Sequence, residues 1–307
     1  MLFSKVIAPL KLFFQNLFKH FFKSANEPAA AVHSKIWQAQ WSSFLQQKVS
    51  FYRNLSTEDK LCFEQRCVLF LATTRVEGSQ DVTVVDNDKL LVAASAIIPV
   101  WGFPGWHYFN IENVILLPSR FNEQYQYGMP DSRISGMVGT GVMSGKMVLS
   151  KPDLHRGFEN SRDKQNVGIH EFVHLIDMAD GQCDGFPERV TQYEFSAPVQ
   201  NIGAYGIEVS DFIERVTWFD FVQHKINEVE LGNSNINDYS ATNSAEFFAV
   251  SSEYFFERPK MLQKKHPELY NYLSNFYQQN LAEINADIAP RKNRPCPCGS
   301  GKKYKRC

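Results

Sequence analysis

Hydrophobic positions in the first half of the chain predict two helices followed by several strands. Residues 35–50 and 57–74 carry apolar side chains at helical spacing, and Ser56 is suited to cap the second helix. The stretches DVTVVD (81–86) and NVILLP (113–118) are rich in β-branched residues, which is typical of strands. RISGMVGTGVMSGKMVLS, which ends at Ser150, alternates apolar residues with Gly and Ser and predicts a hairpin or two strands.

Helical spacing dominates the second half of the chain. Residues 211–229, 241–257 and 267–288 each place apolar side chains on one helical face. Either Asn243 or Ser244 could cap the middle helix of these three. Strands that crowd the first half and helices that fill the second predict an α+β fold, in contrast to a regular βαβ alternation.

Composition fits a folded protein with a short extension at each end. Of 307 residues, 44% are hydrophobic and the formal net charge is −1, which argues against a nucleic-acid-binding protein. Small, polar and Pro-containing stretches divide the chain into residues 1–33, a main domain at 34–288 and a tail at 289–307.

The first 23 residues predict an amphipathic helix. Apolar side chains recur at helical spacing from Pro9 onward, and lysines interrupt the run, so it does not match a signal peptide or a membrane-spanning segment. One interpretation is a helix that lies in a membrane surface and makes the protein peripheral. The alternative, which we favour, is a helix packed on the main domain or on a partner, and a poorly cleaved signal peptide is a third interpretation.

Cysteine usage predicts a reducing compartment. The chain has six cysteines, three of them scattered and three within the last twelve residues, and neither set resembles the dense framework of a secreted domain. We therefore expect a cytoplasmic protein.

The strongest chemical signal is HEFVH, which begins at His170. On a helix, His170 and His174 lie on one face a turn apart, so both rings can bind one Zn²⁺. Glu171 is turned about 100° from His170, away from the metal face, where it can act as a general base on a metal-activated water. The alternative is two core histidines that hydrogen-bond to backbone carbonyls.

A catalytic zinc site usually has a third protein ligand. The positions that would carry Gly and His in the HExxHxxGxxH pattern are Asp177 and Asp180, so the ligand must come from elsewhere. Residues 241–257 offer Glu246 and Glu253, two turns apart on one helical face. Residue chemistry favours Glu246, in the first turn, and leaves Glu253 open.

These residues carry a resemblance to a known family. NVGIHEFVHLIDMADGQCDGFP and YSATNSAEFFAVSSEYFFERP resemble the Mlc titration factor A family of bacterial zinc peptidases, and the likeness extends over most of residues 50–280. The family is similar to the catalytic domain of anthrax lethal factor, a gluzincin-type metalloprotease. The resemblance therefore implies a zincin-like (gluzincin) metallopeptidase domain.

Site residues follow from the resemblance position by position. It implies that His170, His174 and Glu246 bind zinc, that Glu171 is the catalytic base and that Tyr239 stabilises the transition state. From residue chemistry, Asp177 is either an acceptor for the second ring N–H of a ligand histidine, or a surface acid or helix-end contact. Glu253 is likewise either such an outer partner or a solvent-facing side chain.

The tail PCPCGSGKKYKRC resembles the SEC-C zinc-binding motif. Cys296, Cys298 and Cys307 match three ligands of a second, structural zinc, and the fourth would be the terminal carboxylate, water or a partner's side chain. The alternative is a disordered basic tail with free thiols, whose charges stay solvated.

Two functions remain in view. We expect a zinc-dependent peptidase that acts on peptide or protein substrates. The rival is a regulatory binding protein, because members of the resembled family bind a transcriptional repressor, Mlc. The presence of Glu171, which zinc binding alone does not require, favours the enzyme.

Overall fold

A computed structural model describes residues 37–103, 106–160, 163–187 and 209–284. The predicted N-terminal segment 1–33 and the cysteine tail 289–307 lie outside the described residues. The three cysteines of the predicted second zinc site therefore stay a prediction from sequence.

Helices and strands have the following bounds. The helices are α1 Ala39–Lys48, α2 Ser50–Arg53, α3 Thr57–Thr73, α4 Asp86–Ile97, α5 Lys151–Glu159, α6 Val167–Asp177, α7 Val209–Glu230, α8 Ser244–Glu257, α9 Pro259–Lys265, α10 Pro267–Tyr277 and α11 Leu281–Ile284. The strands are β1 Arg75–Gly78, β2 Ile111–Leu117, β3 Gly136–Val138 and β4 Gly145–Ser150. Short 3₁₀ turns occur at Gly141–Met143, Met178–Asp180 and Asp238–Ala241.

The four strands form one mixed sheet in the order β1-β2-β4-β3. β2 is parallel to both β1 and β4, and the connection from β1 to β2 contains α4. β3 and β4 pair antiparallel and are joined by a 3₁₀ turn, as the alternating pattern before Ser150 predicted. β3 thus ends the described sheet on one side.

Apolar side chains on both faces of the sheet are covered. Val114 and Leu116 of β2 belong to the main core, together with α4, α6 and α8. Ile115 and Leu117 face a smaller apolar cluster with Phe121, beneath the segment that joins β2 to β3. Because successive strand residues point to opposite faces, the NVILL run fills two cores at once.

The predicted strand at 81–86 is wrong. This stretch has no regular structure up to Val85, and α4 begins at Asp86. The Asp88 carboxylate accepts a hydrogen bond from the Val85 backbone N–H at 2.9 Å, which fixes the start of a helix. Side-chain capping has therefore overridden the β-branched composition.

The predicted helix at 267–288 is interrupted. α10 ends at Tyr277, and Gln278 adopts a left-handed conformation with φ 51°. The buried Gln279 side chain donates from Nε2 to the Ile98 carbonyl at 3.1 Å. A distant backbone acceptor, which local periodicity cannot reveal, bends the chain here.

The described chain is a mixed, helix-rich α+β structure, as predicted, although β1, α4 and β2 form one parallel crossover that the sequence pattern did not indicate. None of the helices in this part of the chain is long and apolar enough to cross a membrane.

The end of α8 carries a carboxyl group in an unfavourable environment. Oε2 of Glu257 is buried without a hydrogen-bond partner. Burial, together with the charges of Glu253 and Asp163, raises the pKa of Glu257 from 4.5 to about 9. The folded protein therefore holds a proton here at neutral pH that the unfolded chain releases.

We expect this group to give stability a distinct pH dependence. Its contribution is fully present below pH 4.5 and is lost as pH rises toward about 9, by at most about 1.4 kcal/mol per pH unit. Chemical denaturation of wild type and Glu257→Gln at several pH values measures this. The difference in unfolding free energy between them should change between pH 5 and 9 in favour of the Gln variant. The exposed Glu230→Gln is the control, and a pH-independent difference for Glu257→Gln would contradict the prediction.

Candidate metal centre

The helix α6 is buried on all sides because it packs against α4, α5 and α8 and against strands β3 and β4 of the sheet. Every residue from Gly168 to Asp177 is buried. Its start is fixed by Asn166, whose side chain accepts a hydrogen bond from the Ile169 N–H at 3.1 Å. A helix this enclosed must find partners for each polar side chain it carries.

Two of those side chains converge with a carboxylate from α8. Nε2 of His170 and Nε2 of His174 are 3.1 Å apart. Oε2 of Glu246 lies 3.0 Å from the first nitrogen and 3.5 Å from the second. Tetrahedral zinc with bonds of about 2.0–2.1 Å would hold its ligand atoms about 3.4 Å apart. The three atoms therefore have the spacing of a set of zinc ligands.

The three converging atoms are better suited to binding a metal ion than to forming hydrogen bonds with one another. Oε2 of Glu246 is buried and makes no hydrogen bond of good geometry. Burial raises the pKa of Glu246, but His170 and His174 more than offset this and hold it well below 4.5, so the side chain is an anion. Two imidazole nitrogens and one carboxylate oxygen form a donor set that suits Zn²⁺.

Glu246 is aimed at the histidines by the start of α8. Asn243 caps this helix, because its side chain accepts a hydrogen bond from the Glu246 N–H at 2.9 Å. Of the two candidate caps predicted from sequence, the structure shows Asn243 in this role and not Ser244. The cap places Glu246 in the first turn, where its side chain reaches the centre.

Glu253, the alternative ligand, lies behind His170 instead of at the point of convergence. Its Oε1 is 2.8 Å from Nδ1 of His170, and its Oε2 accepts a hydrogen bond from the Asn166 N–H. An acceptor at Nδ1 fixes the tautomer and leaves the Nε2 lone pair free for a metal. The structure therefore places Glu253 against His170 and not in solvent, and its role beside a metal ligand stays a proposal.

Glu171 sits beneath the edge strand of the sheet. It is 5% exposed, and burial raises its pKa above 4.5 although the two histidines oppose this. A Cβ placed on Gly136 would lie 2.6 Å from Oε1 of Glu171 and 2.7 Å from its Cγ. The backbone of β3 therefore packs directly on this carboxylate, a contact that the sequence analysis missed.

Tyr239 borders the centre from a short 3₁₀ turn. Its ring centroid is 6.2 Å from that of His170, and the residue is 54% exposed. Partial burial and the charges of Glu246 and Glu171, together with a hydrogen bond to Glu246, raise its pKa to about 12. Tyr239 therefore keeps its proton at neutral pH and can act as a hydrogen-bond donor.

Of the roles weighed from sequence, the helix-end contact is the one that the structure shows for Asp177, which is the last residue of α6 and accepts hydrogen bonds from the loop that follows. It is fully buried, and both carboxylate oxygens accept from the Gly185 N–H, at 3.1 and 3.0 Å. The atom near Nδ1 of His174 is instead Sγ of Cys183, at 4.0 Å. The loop after α6 supplies this contact, and no pattern in the sequence had pointed to Cys183 or Gly185.

Comparisons with known proteins agree with the resemblance and confirm it. The family model described as glucose-regulated metallo-peptidase M90 matches residues 23–278, and the SEC-C motif matches residues 293–307. An uncharacterized protein of Synechocystis is 28% identical over 244 residues, 77% of this chain and 82% of its own. Mlc titration factor A of Serratia proteamaculans is 31% identical over 206 residues, 66% and 72% of the two chains. Mlc titration factor A of Yersinia enterocolitica is 24% identical over 261 residues, 83% and 89%.

The position of Glu253 generates a prediction about metal affinity. Glu253→Ala should weaken Zn²⁺ binding about 10- to 100-fold, because His170 loses the acceptor that fixes its tautomer. Competition with a chromophoric chelator measures the affinity, and thermal melting of the metal-free protein reports on folding. The exposed Glu268→Ala should bind zinc as the wild type does. Equal affinity of Glu253→Ala and wild type would show that this contact does not orient the ligand.

Proposed function

The chain belongs to the glucose-regulated metallo-peptidase M90 family, and on that premise we propose that it is a zinc-dependent peptidase of the gluzincin type. His170, His174 and Glu246 would hold the zinc. The observation that carries this proposal is the convergence of the two Nε2 atoms and one carboxylate oxygen, 3.0–3.5 Å apart, in a buried site.

Glu171 is the general base in this proposal. Zinc, when bound, lowers the pKa of a water molecule and polarises a peptide carbonyl. Glu171 accepts a proton as the water attacks the carbonyl carbon and later returns that proton to the leaving amine. Burial raises its pKa above 4.5 and so toward neutrality, which suits a group that must both take and release a proton.

Tyr239 is proposed to stabilise the charge that develops on the carbonyl oxygen. Its pKa of about 12 keeps the phenol protonated, and its partly exposed position leaves it accessible to a substrate. A phenol O–H aimed at an oxyanion is worth more in a partly desolvated site than in water. Its ring lies close to His170, beside the centre.

The substrate would bind in an extended form along β3. This strand ends the described sheet, so its outer edge can accept another strand by β-augmentation. Gly136 of β3 touches Glu171, which would bring a bound peptide close to the base. The substrate class is therefore peptides or proteins with an extended, accessible segment.

A second candidate function is supported by the names of two relatives. Both the Serratia and the Yersinia proteins are named Mlc titration factor A. On this candidate, the chain is a regulatory binding protein for a transcriptional repressor, and the metal centre shapes a binding surface. The two candidates differ in whether Glu171 is needed.

The variant Glu171→Gln separates the candidates. We expect it to bind one zinc at the centre as wild type does, because Glu171 is not among the three converging ligands. We expect its kcat on a mixed peptide library to fall by at least about 100-fold, since the amide cannot accept the proton. Mass spectrometry of the peptides and metal analysis of both proteins measure this. If both proteins bind zinc and neither cleaves, the peptidase proposal fails and capture of a repressor becomes the next experiment.

The variant Gly136→Ala tests the link between the edge strand and the base. The added methyl would meet the Glu171 carboxylate and should push it out of position. We expect kcat to fall about 10-fold or more while zinc affinity stays unchanged. Gly139→Ala, whose methyl would meet only the Met143 side chain at 3.3 Å, is the matched control. Full activity of Gly136→Ala would mean that this contact does not position Glu171.

A further inference from the structure

We propose that the contact between Asp177 and Gly185 is the device that places Glu246 against the histidine pair. The inference rests on the proposed zinc site and assigns Asp177 as a positioning residue. The contact lies in the loop that follows α6, at the end of the helix pair that carries the three ligands.

Asp177 is rigidly connected to the histidines. It follows His174 by three residues within the same helix, so its position is set by the helix geometry. The side chain is fully buried, and the Gly185 N–H donates to both of its oxygens. A buried carboxylate that lost this donor would be costly, so the contact is a strong constraint on the loop.

Gly185 transmits this constraint to α8. Its φ is 77°, which favours glycine, and a Cβ at this position would lie 2.2 Å from the carbonyl oxygen of Ser244. The loop backbone therefore packs directly on the first residue of α8, two residues before Glu246. Only a residue without a side chain allows so close an approach.

A third contact holds Gly185 from the other side. Its carbonyl oxygen accepts a hydrogen bond from Nε1 of the buried Trp218 at 2.8 Å. Trp218 belongs to α7, so Gly185 is fixed between α6, α7 and α8. A glycine held on three sides can act as a spacer between two helices, whereas a free loop residue could not.

The zinc site needs such a spacer. The three ligand atoms lie 3.0–3.5 Å apart, but they come from two helices separated by about 70 residues of chain. The contact of Glu253 with His170 joins the same helices two turns further along α8. The Asp177–Gly185 contact is the second place at which α6 and α8 are connected. Two such contacts fix both the distance between the helices and their relative position along the helix axis.

The test compares two variants in two backgrounds, with Zn²⁺ affinity measured by chelator competition. Asp177→Asn replaces one of the two oxygens that accept from the Gly185 N–H with an NH2 group, which cannot accept, and Gly185→Ala drives a methyl into the Ser244 carbonyl. Each should weaken zinc binding about 10-fold or more in the otherwise wild-type chain. In a Glu246→Ala background, where the ligand to be positioned is gone, each should change the affinity less than about 2-fold.

Several outcomes would overturn the proposal. An equal loss in both backgrounds would mean that Asp177 acts on the histidines or on the fold as a whole. Unchanged zinc affinity of both variants would also overturn the proposal. If Asp177→Asn does not fold, the result for Gly185→Ala alone tests it. Asp180→Asn, which removes a charge from the same loop, is the control. If Glu246→Ala itself binds zinc as wild type does, the proposed zinc site fails, which is distinct from failure of the positioning role.

Discussion

The packing of α6 against α8 is the constraint on which the rest of the structure depends. Both helices are buried along nearly their whole length, and together they carry the histidines and glutamates of the centre. Burial of apolar side chains stabilises the contact between the two helices, but it is non-directional and does not fix their relative position. The hydrogen bonds of Glu253 and Asp177 give the pair its register, because they are directional and are costly to break in a buried environment.

This arrangement resolves a conflict between burial and polarity. An interior of Phe and Val side chains favours neither two imidazoles nor two carboxylates. Pairing of these groups offsets the free-energy cost of burying them. Glu253 accepts a hydrogen bond from His170, and Glu246 lies close to both histidines. What remains without a good partner is the oxygen of Glu246 that points at the two nitrogens. A divalent cation at that point would satisfy all three atoms at once.

The sequence carried the local part of this site but not the long-range part. The four-residue spacing of His170 and His174 follows from helix geometry alone, and the Ser56 cap was visible as a local pattern. Residue chemistry favoured Glu246 over Glu253, and the resemblance implied it. Helix geometry alone could not separate the two residues, which lie seven apart on one helical face, and the tertiary packing places Glu246 next to the nitrogens. Gly136 and Gly185 were invisible for a similar reason. Each is defined by a backbone that passes close to it, and that backbone is far away in sequence.

The failed predictions of secondary structure show the same limit. The β-branched residues 81–86 precede a helix, because the Asp88 carboxylate accepts a hydrogen bond from a backbone N–H at the start of that helix. The helix α10 ends where the Gln279 side chain donates a hydrogen bond to a backbone carbonyl far away in sequence. In both places a single polar side chain overrode the periodicity of its neighbours. The metal centre uses the same principle. The side chains proposed as its ligands lie on buried helices, which resist displacement, whereas Tyr239 and β3, which would meet a substrate in the proposed peptidase, lie on a 3₁₀ turn and a three-residue strand. On the proposed function, rigid elements would thus hold the charge-bearing groups, and short surface elements would conform to a peptide.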